Sequence, residues 1–184
     1  MGALLDITSD TSMIFDTIDY LQYGTARQRE AFALLTEHRV LQKLTSFDPI
    51  LAGTIPINID IDSSDLDIIC YWTNRAAFYK AVLAGFETEF AFTIQESIVS
   101  DREVVIANCR IGRFDIEIFG QNVPTRHQMA YRHLLIEHKL LEERGETFRQ
   151  AVIELKRSGY KTEPAFAKLL GIQGDPYEGL LLFD

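Results

Sequence analysis

Two aspartates separated by one apolar residue, Asp65-Leu66-Asp67 in "SSDLDIICYW", are the side chains of this sequence best placed to do chemistry. The run that follows, Ile68 to Trp72, is rich in branched and aromatic residues and reads as a strand buried on both faces. In a strand, residues i and i+2 project from one face, so the two carboxylates stand together while Leu66 and Ile68 point the other way. Neighbouring carboxylates repel, and one of them keeps its proton unless a cation intervenes. Hard oxygen donors on a rigid strand are what Mg2+ prefers, so metal binding resolves the conflict. Asp60 and Asp62, alternating with Ile59 and Ile61 in "PINIDIDSS", belong to the connecting segment and need only a solvated edge.

The same alternation recurs in "RFDIEIF", where Asp115 and Glu117 share a face opposite Phe114, Ile116 and Ile118. Taken alone this pair reads as the solvated side of a half-buried strand. If the strand lies in the same sheet as Asp65 and Asp67, one of its acids completes a three-carboxylate site. Arg126 and His127 in "TRHQMAYRHLL" stand near a helix start, where the dipole favours a phosphate, against the plainer reading of a solvated helix face. Lys161 is a further phosphate candidate, next to a helix that Thr162 would cap and whose first turn holds Pro164. His133 and His138 lie five apart, the wrong spacing for a zinc pair on one helix face. Neither a Gly-x-Ser-x-Gly elbow nor a P-loop is present.

The elements that must position these groups follow from periodicity. "TSMIFDTIDY" predicts a weak helix ending near Gly24, after a loose arm over the first ten residues. "TARQREAFALLTEHRVLQKL" predicts a clear helix capped by Thr25. "FDPILAGT" enters a short strand or turn, and "TNRAAFYKAVLAGF" predicts a helix capped by Thr73 and closed near Gly85. "FETEFAFTIQESI", "REVVIANCRI" and "RFDIEIFGQ" are three β runs divided by Ser100-Asp101 and Gly112, the spacing of an antiparallel meander. Beyond Pro124 the pattern is helical, with Gly145, Gly159 and Gly171 as stops, and "GIQGDPY" is a turn leading into a capped terminal helix. The expectation is an α+β fold: a mixed or antiparallel sheet of four to five strands covered by helices, with a helical C-terminal extension. One domain of 184 residues is expected, its sheet-bearing core over 25–122 and its helical part over 123–184.

Composition bounds the function. The formal net charge is −9, which opposes broad attraction to nucleic acid or an anionic membrane surface. No apolar run approaches the roughly 18 to 20 residues that span a bilayer, and the first residues lack a basic stretch followed by a long apolar one. Cys70 and Cys109 each sit in an apolar run rather than in a C-x-x-C arrangement, which predicts buried thiols in a reducing compartment and hence a cytoplasmic protein.

Gly53-Thr54, preceded by Ala52 and followed after ten residues by Asp65-Leu66-Asp67-Ile68, resembles the signature of the DNA polymerase beta-like nucleotidyltransferase superfamily. That signature is a hydrophobic residue, Gly, Gly or Ser, a spacer of about this length, then acid, hydrophobic, acid, hydrophobic. Thr54 departs from the usual Ser or Gly while keeping a hydroxyl. The resemblance covers Leu51 to Gly120, and the helical text downstream is similar to an uncharacterised bacterial branch of the same fold, a domain of unknown function. It implies Gly53 and Thr54 as contacts to the nucleotide phosphates, Asp65 and Asp67 as Mg2+ ligands, and a third acid on a later strand. Glu117, nearer the strand end before Gly120, is the first choice for that acid. Asp115 is the second, because the superfamily more often uses Asp there. The implied activity is Mg2+-dependent transfer of a nucleotidyl group from an NTP to a hydroxyl of a small molecule, a protein or an RNA. The alternative is a module of the same fold that binds a nucleotide or a protein without turnover.

Overall fold

The computed structural model describes residues 15–184. The loose N-terminal arm and the start of the weak helix lie outside the described residues. The rest of that weak helix is a short 3-10 turn, Asp19–Tyr23, ending at Gly24.

Helix α1, Ala26–Glu37, begins as expected: Thr25 accepts from the Gln28 backbone N–H while the Gln28 side chain accepts from the Thr25 N–H, a complete capping box. A four-residue helix α2, Val40–Lys43, leads into strand β1, Ile50–Ala52. Strand β2 is Leu66–Tyr71 and helix α3 is Arg75–Phe86. Asn74 caps α3, its side chain accepting from the Ala77 N–H, so the cap falls one residue later than Thr73; an amide oxygen serves this role as well as a hydroxyl. The meander follows: β3 Phe90–Val99, β4 Arg102–Ile111 and β5 Phe114–Gln121.

These strands form one mixed sheet in the order β1-β2-β5-β4-β3. The pairing of β2 with β5 is parallel and all the others are antiparallel. A parallel pair needs a long crossover, supplied here by α3 together with the β3–β4 hairpin. Its register sets Asp67 directly beside Glu117.

The alternation of β2 and β5 sorts side chains onto two faces. Leu66, Ile68, Cys70, Ile116 and Ile118 pack on one face with Phe78, Val82 and Phe86 of α3 and with Ala31 and Leu35 of α1. Gly120 is required there, since a Cβ would run into the ring of Phe78. On the other face Ile50, Ala52 and Ile69 are covered by a long helix α4, Met129–Arg157, and by α5, Thr162–Leu170, through Leu134, Leu140 and Phe166. Gly145, at φ 75° and ψ −171°, stops the helical backbone as expected and divides α4 into two helices across a kink, and Gly171, at φ 71°, closes α5. Thr162 is the first residue of α5 rather than its cap. The short helix α6, Pro176–Leu180, is capped by Asp175, which accepts from Tyr177 and Glu178, with Pro176 at the first helical position as expected. Among the described residues, no helix is long and apolar enough to cross a membrane. Both cysteines are buried thiols and neither is in a disulfide.

The helices on the second face leave part of the β2–β5 surface uncovered. That gap is a cavity of about 1060 Å3, walled by the sheet, by the segment between β1 and β2, and by α4, α5 and the start of α6.

Candidate functional site

Residues 53–64 connect β1 to β2 without forming a strand, although Ile55, Ile57 and Ile59 are buried. The periodicity of these isoleucines is that of a strand, but the turn at Gly53-Thr54 takes the segment out of the sheet. Buried backbone carbonyls must then find other partners, and side chains of the flanking helices supply them. Gln28 Nε2 donates to the carbonyls of Ile55 (2.9 Å) and Pro56 (3.1 Å), Arg149 Nη1 to Ile57 (2.5 Å), and Lys156 Nζ to Ile59 (2.8 Å). Asp60 is not at a solvated edge: its side chain is 13% exposed and pairs with Arg27 at 3.3 Å, whereas Asp62 is exposed.

Gly53 has φ 76°, and a Cβ on it would overlap the carboxylate of Asp67. Only glycine permits both the turn and the close approach. The Thr54 hydroxyl meets Ser64 Oγ at 3.2 Å, and Ser64 Oγ accepts from the Ile61 N–H at 3.0 Å, so the turn is tied to the residues just before β2. Gly53, Thr54, Asp65, Asp67 and Glu117 all line the one cavity.

The three acids share an unusual condition. None of Asp65, Asp67 and Glu117 accepts a hydrogen bond or makes an ion pair with another described residue, whereas Asp48, Asp60, Asp115 and Asp184 each face an arginine. Burial, then the charges of Asp65 and Glu117, push the Asp67 carboxyl up to about 7. Burial and Asp65 raise that of Glu117. The second choice for the third acid behaves otherwise. Asp115 is exposed in a bidentate pair with Arg110, at 2.7 and 3.0 Å, and does not line the cavity. That pair holds its carboxyl below the usual range.

The donor set suits a hard divalent cation in kind: three oxygen donors, half-buried, mutually repelling and without an internal counter-charge in contact. Among the described residues, no three acidic, His or Cys side chains are already gathered into a coordination shell, so holding an ion requires these carboxylates to turn toward one another.

The remaining wall belongs to the C-terminal helices. Lys156 is buried, 7% exposed, and its ammonium senses Glu137, Asp60, Asp67 and Glu163 without pairing with any of them. Burial lowers it to about 8. His133 bridges Glu163 (Nδ1 to Oε1, 3.4 Å) and the carbonyl of Tyr177 (Nε2, 3.0 Å). Glu137 is 4% exposed. Of the residues weighed as phosphate contacts, His127 reaches the cavity; Arg126 is engaged with Asp16 and Asp48, and Lys161 does not line the cavity. Sequence reading missed Glu137, Lys156 and Glu163 as site residues. Their only sequence signal is a charged residue at a core-facing helical position, as with Glu137 between Ile136 and Leu140.

The family described as Domain of unknown function (DUF4269) matches residues 33–183. No curated protein matches the chain. Among solved structures, the chain is similar to the polymerase core of TRAMP, an RNA surveillance complex, with TM-score 0.54 and 12% identity over 96% of this chain and 65% of that one. It is similar to the Cid1 poly(U) polymerase bound to MgGTP, with TM-score 0.52 and 14% identity over 70% of this chain and 41% of that one. It is also similar to the GLD-2/RNP-8 complex, with TM-score 0.51 and 13% identity over 88% and 60%. The chain thus spans 41 to 65% of the length of these structures, and identity this low shows a shared fold alone.

Proposed function

We propose that this chain, which belongs to the family Domain of unknown function (DUF4269), is a Mg2+-dependent nucleotidyltransferase that moves a nucleotidyl group from an NTP to a hydroxyl acceptor. One observation carries the reading. Asp65, Asp67 and Glu117, brought together by the parallel pairing of β2 with β5, face one cavity without partners, beside a glycine turn that leans on Asp67. The fold shared with polymerases, one of them described with MgGTP bound, supports it.

In this reading Asp65, Asp67 and Glu117 hold Mg2+, which when bound supplies charge neutralisation for the triphosphate. The Gly53-Thr54 turn takes the phosphate oxygens. The acceptor oxygen forms its bond to the α-phosphorus, the bond from that phosphorus to the β-phosphate oxygen breaks, and pyrophosphate leaves with the electron pair. Glu117, which lines the cavity beside Asp67, would take the hydroxyl proton. Lys156, held against the Ile59 carbonyl and lining the same cavity, would bring a positive charge to the bound phosphates.

The test is thermal denaturation and transfer with each labelled NTP and Mg2+. The wild type is expected to gain stability with Mg2+ and a nucleotide and to label an acceptor. Asp65→Asn with Asp67→Asn is expected to lose both. Unchanged nucleotide binding in the double variant would overturn the reading. Stabilisation without transfer to any acceptor would favour the non-catalytic binding module.

A further inference from the structure

The cavity holds more carboxyl groups than a metal site needs. Seven carboxyl groups line it, from Asp65, Asp67, Glu117, Glu137, Glu163, Asp175 and Glu178, against Arg102, Lys156 and the two histidines His127 and His133. The first three serve the proposed metal, and a Mg2+-bound NTP brings no surplus positive charge to the other four. Glu137 is the least accommodated. It projects from α4 with 4% of its surface exposed, lines the cavity, and neither accepts a hydrogen bond nor makes an ion pair with any described residue. Lys156, whose charge Glu137 senses, directs its ammonium to the Ile59 carbonyl and makes no ion pair with Glu137. Glu163, 22% exposed, faces the same space from α5 and is anchored by His133. A buried carboxylate without a partner costs several kcal/mol unless a cation or a proton meets it, and here the open side of Glu137 is the cavity itself.

Resting on the nucleotidyltransferase reading, we propose that Glu137 and Glu163 form an ammonium-binding subsite, and that the acceptor is a small alcohol carrying at least one amine, cationic at neutral pH. The size agrees: small-molecule sites occupy roughly 300 to 1,000 Å3, and this cavity of about 1060 Å3 has room for a nucleotide and a compact acceptor. An RNA acceptor fits poorly. Its phosphates would meet the same acidic wall, and a net charge of −9 opposes broad attraction to RNA.

Calorimetric titration of the metal-free full chain with spermidine, in chelator, tests the subsite apart from catalysis. Wild type is expected to bind, and Glu137→Gln to bind at least tenfold more weakly at a melting temperature no lower than the wild type's, with Glu163→Gln as the second variant should the first fail to fold. Asp65→Asn with Asp67→Asn is expected to keep spermidine binding while losing Mg2+-ATP, which separates this subsite from the nucleotide site. Equal affinity in wild type and both glutamine variants would overturn the subsite. In transfer assays, glucosamine and diaminopropanol are expected to be labelled in preference to glucose and glycerol, with Glu137→Gln raising KM for the amine and leaving KM for the NTP alone. Labelling of an oligouridine RNA in preference to the amines would overturn the acceptor class and leave the nucleotidyltransferase reading standing. Loss of all Mg2+-nucleotide binding in the wild type would instead remove that reading.

Discussion

Asp67 concentrates the physical conflict of the site in one carboxyl, and its titration makes that conflict measurable. Its pKa stands near 7 when folded, against 3.8 ordinarily, through burial and the charges of Asp65 and Glu117. A carboxyl with a raised folded pKa binds its proton more tightly in the folded state. Its contribution is therefore fully present below about pH 4 and is lost as pH rises through about 7. In chelator, urea midpoints are expected to fall over that window, by on the order of a few kcal/mol in free energy. Asp67→Asn should make the fall distinctly shallower, the remainder coming from Glu117 and Glu137, which are raised in the same sense. Mg2+ should flatten it in the wild type; an identical slope in Asp67→Asn would show that the charge is relieved some other way. Gly53→Ala meets the same carboxylate from the other side, at φ 76°. It is expected to cost about 1–3 kcal/mol and to weaken Mg2+-nucleotide binding, measured by titration. At this scale the sequence was informative where chemistry and spacing are local. Asp65 and Asp67 could be paired from a period of two, and Glu117 by assuming one sheet. Glu137, Lys156 and Glu163 could not, because what makes them site residues is how α4 and α5 dock on the sheet, and no short period encodes that.

Elements here hold the site by gripping a loop rather than by extending the sheet. Residues 53–64 alternate Ile55, Ile57 and Ile59 at a strand's period but form the connecting segment expected of them, their carbonyls taken by Gln28 of α1 and by Arg149 and Lys156 of α4. Such partners lie from 27 to 97 positions away in the chain, which is why no local pattern reveals them. Arg149→Leu removes the charged donor to Ile57. It is expected to cost about 1.5–3 kcal/mol in urea denaturation and to loosen the Gly53-Thr54 turn, raising the Kd for Mg2+-nucleotide. Unaltered nucleotide affinity would mean that the turn is positioned without α4. Gly120→Ala is the matched control. Its new methyl strikes Phe78 on the opposite face of the sheet, so about 1–3 kcal/mol of overpacking should appear without a comparable change in nucleotide affinity. The strands and caps that were legible are those with local determinants: the Thr25 capping box, the Ser100-Asp101 and Gly112 turns, and the Asp175-Pro176 helix start.

For the molecule as a whole, the question is whether the helical part over 123–184 is an appendage or a structural necessity. The second core answers physically. Ile57 and Ile59 from the loop, Ile50 and Ala52 from β1, and Ile69 from β2 are buried against Tyr131, Leu134, Leu140, Val152 and Phe166, so neither part has an apolar interior of its own on that side. Polar ties cross the same boundary: Gln128 Nε2 donates to the Cys70 carbonyl at 2.9 Å, and Lys156 to that of Ile59 at 2.8 Å. Removing the helices would uncover this apolar face and leave those carbonyls without their partners, against a total stability of only about 5–15 kcal/mol for an ordinary domain. We therefore expect a single cooperative transition. In scanning calorimetry the calorimetric and van't Hoff enthalpies should agree, and a fragment ending at residue 122 should fail to show one. Two resolved transitions, or a folded 25–122 fragment, would mean that the sheet is stable alone and the helices are an independent lid. The first outcome places the cavity inside one folding unit, so that ligands in it should stabilise the whole chain together.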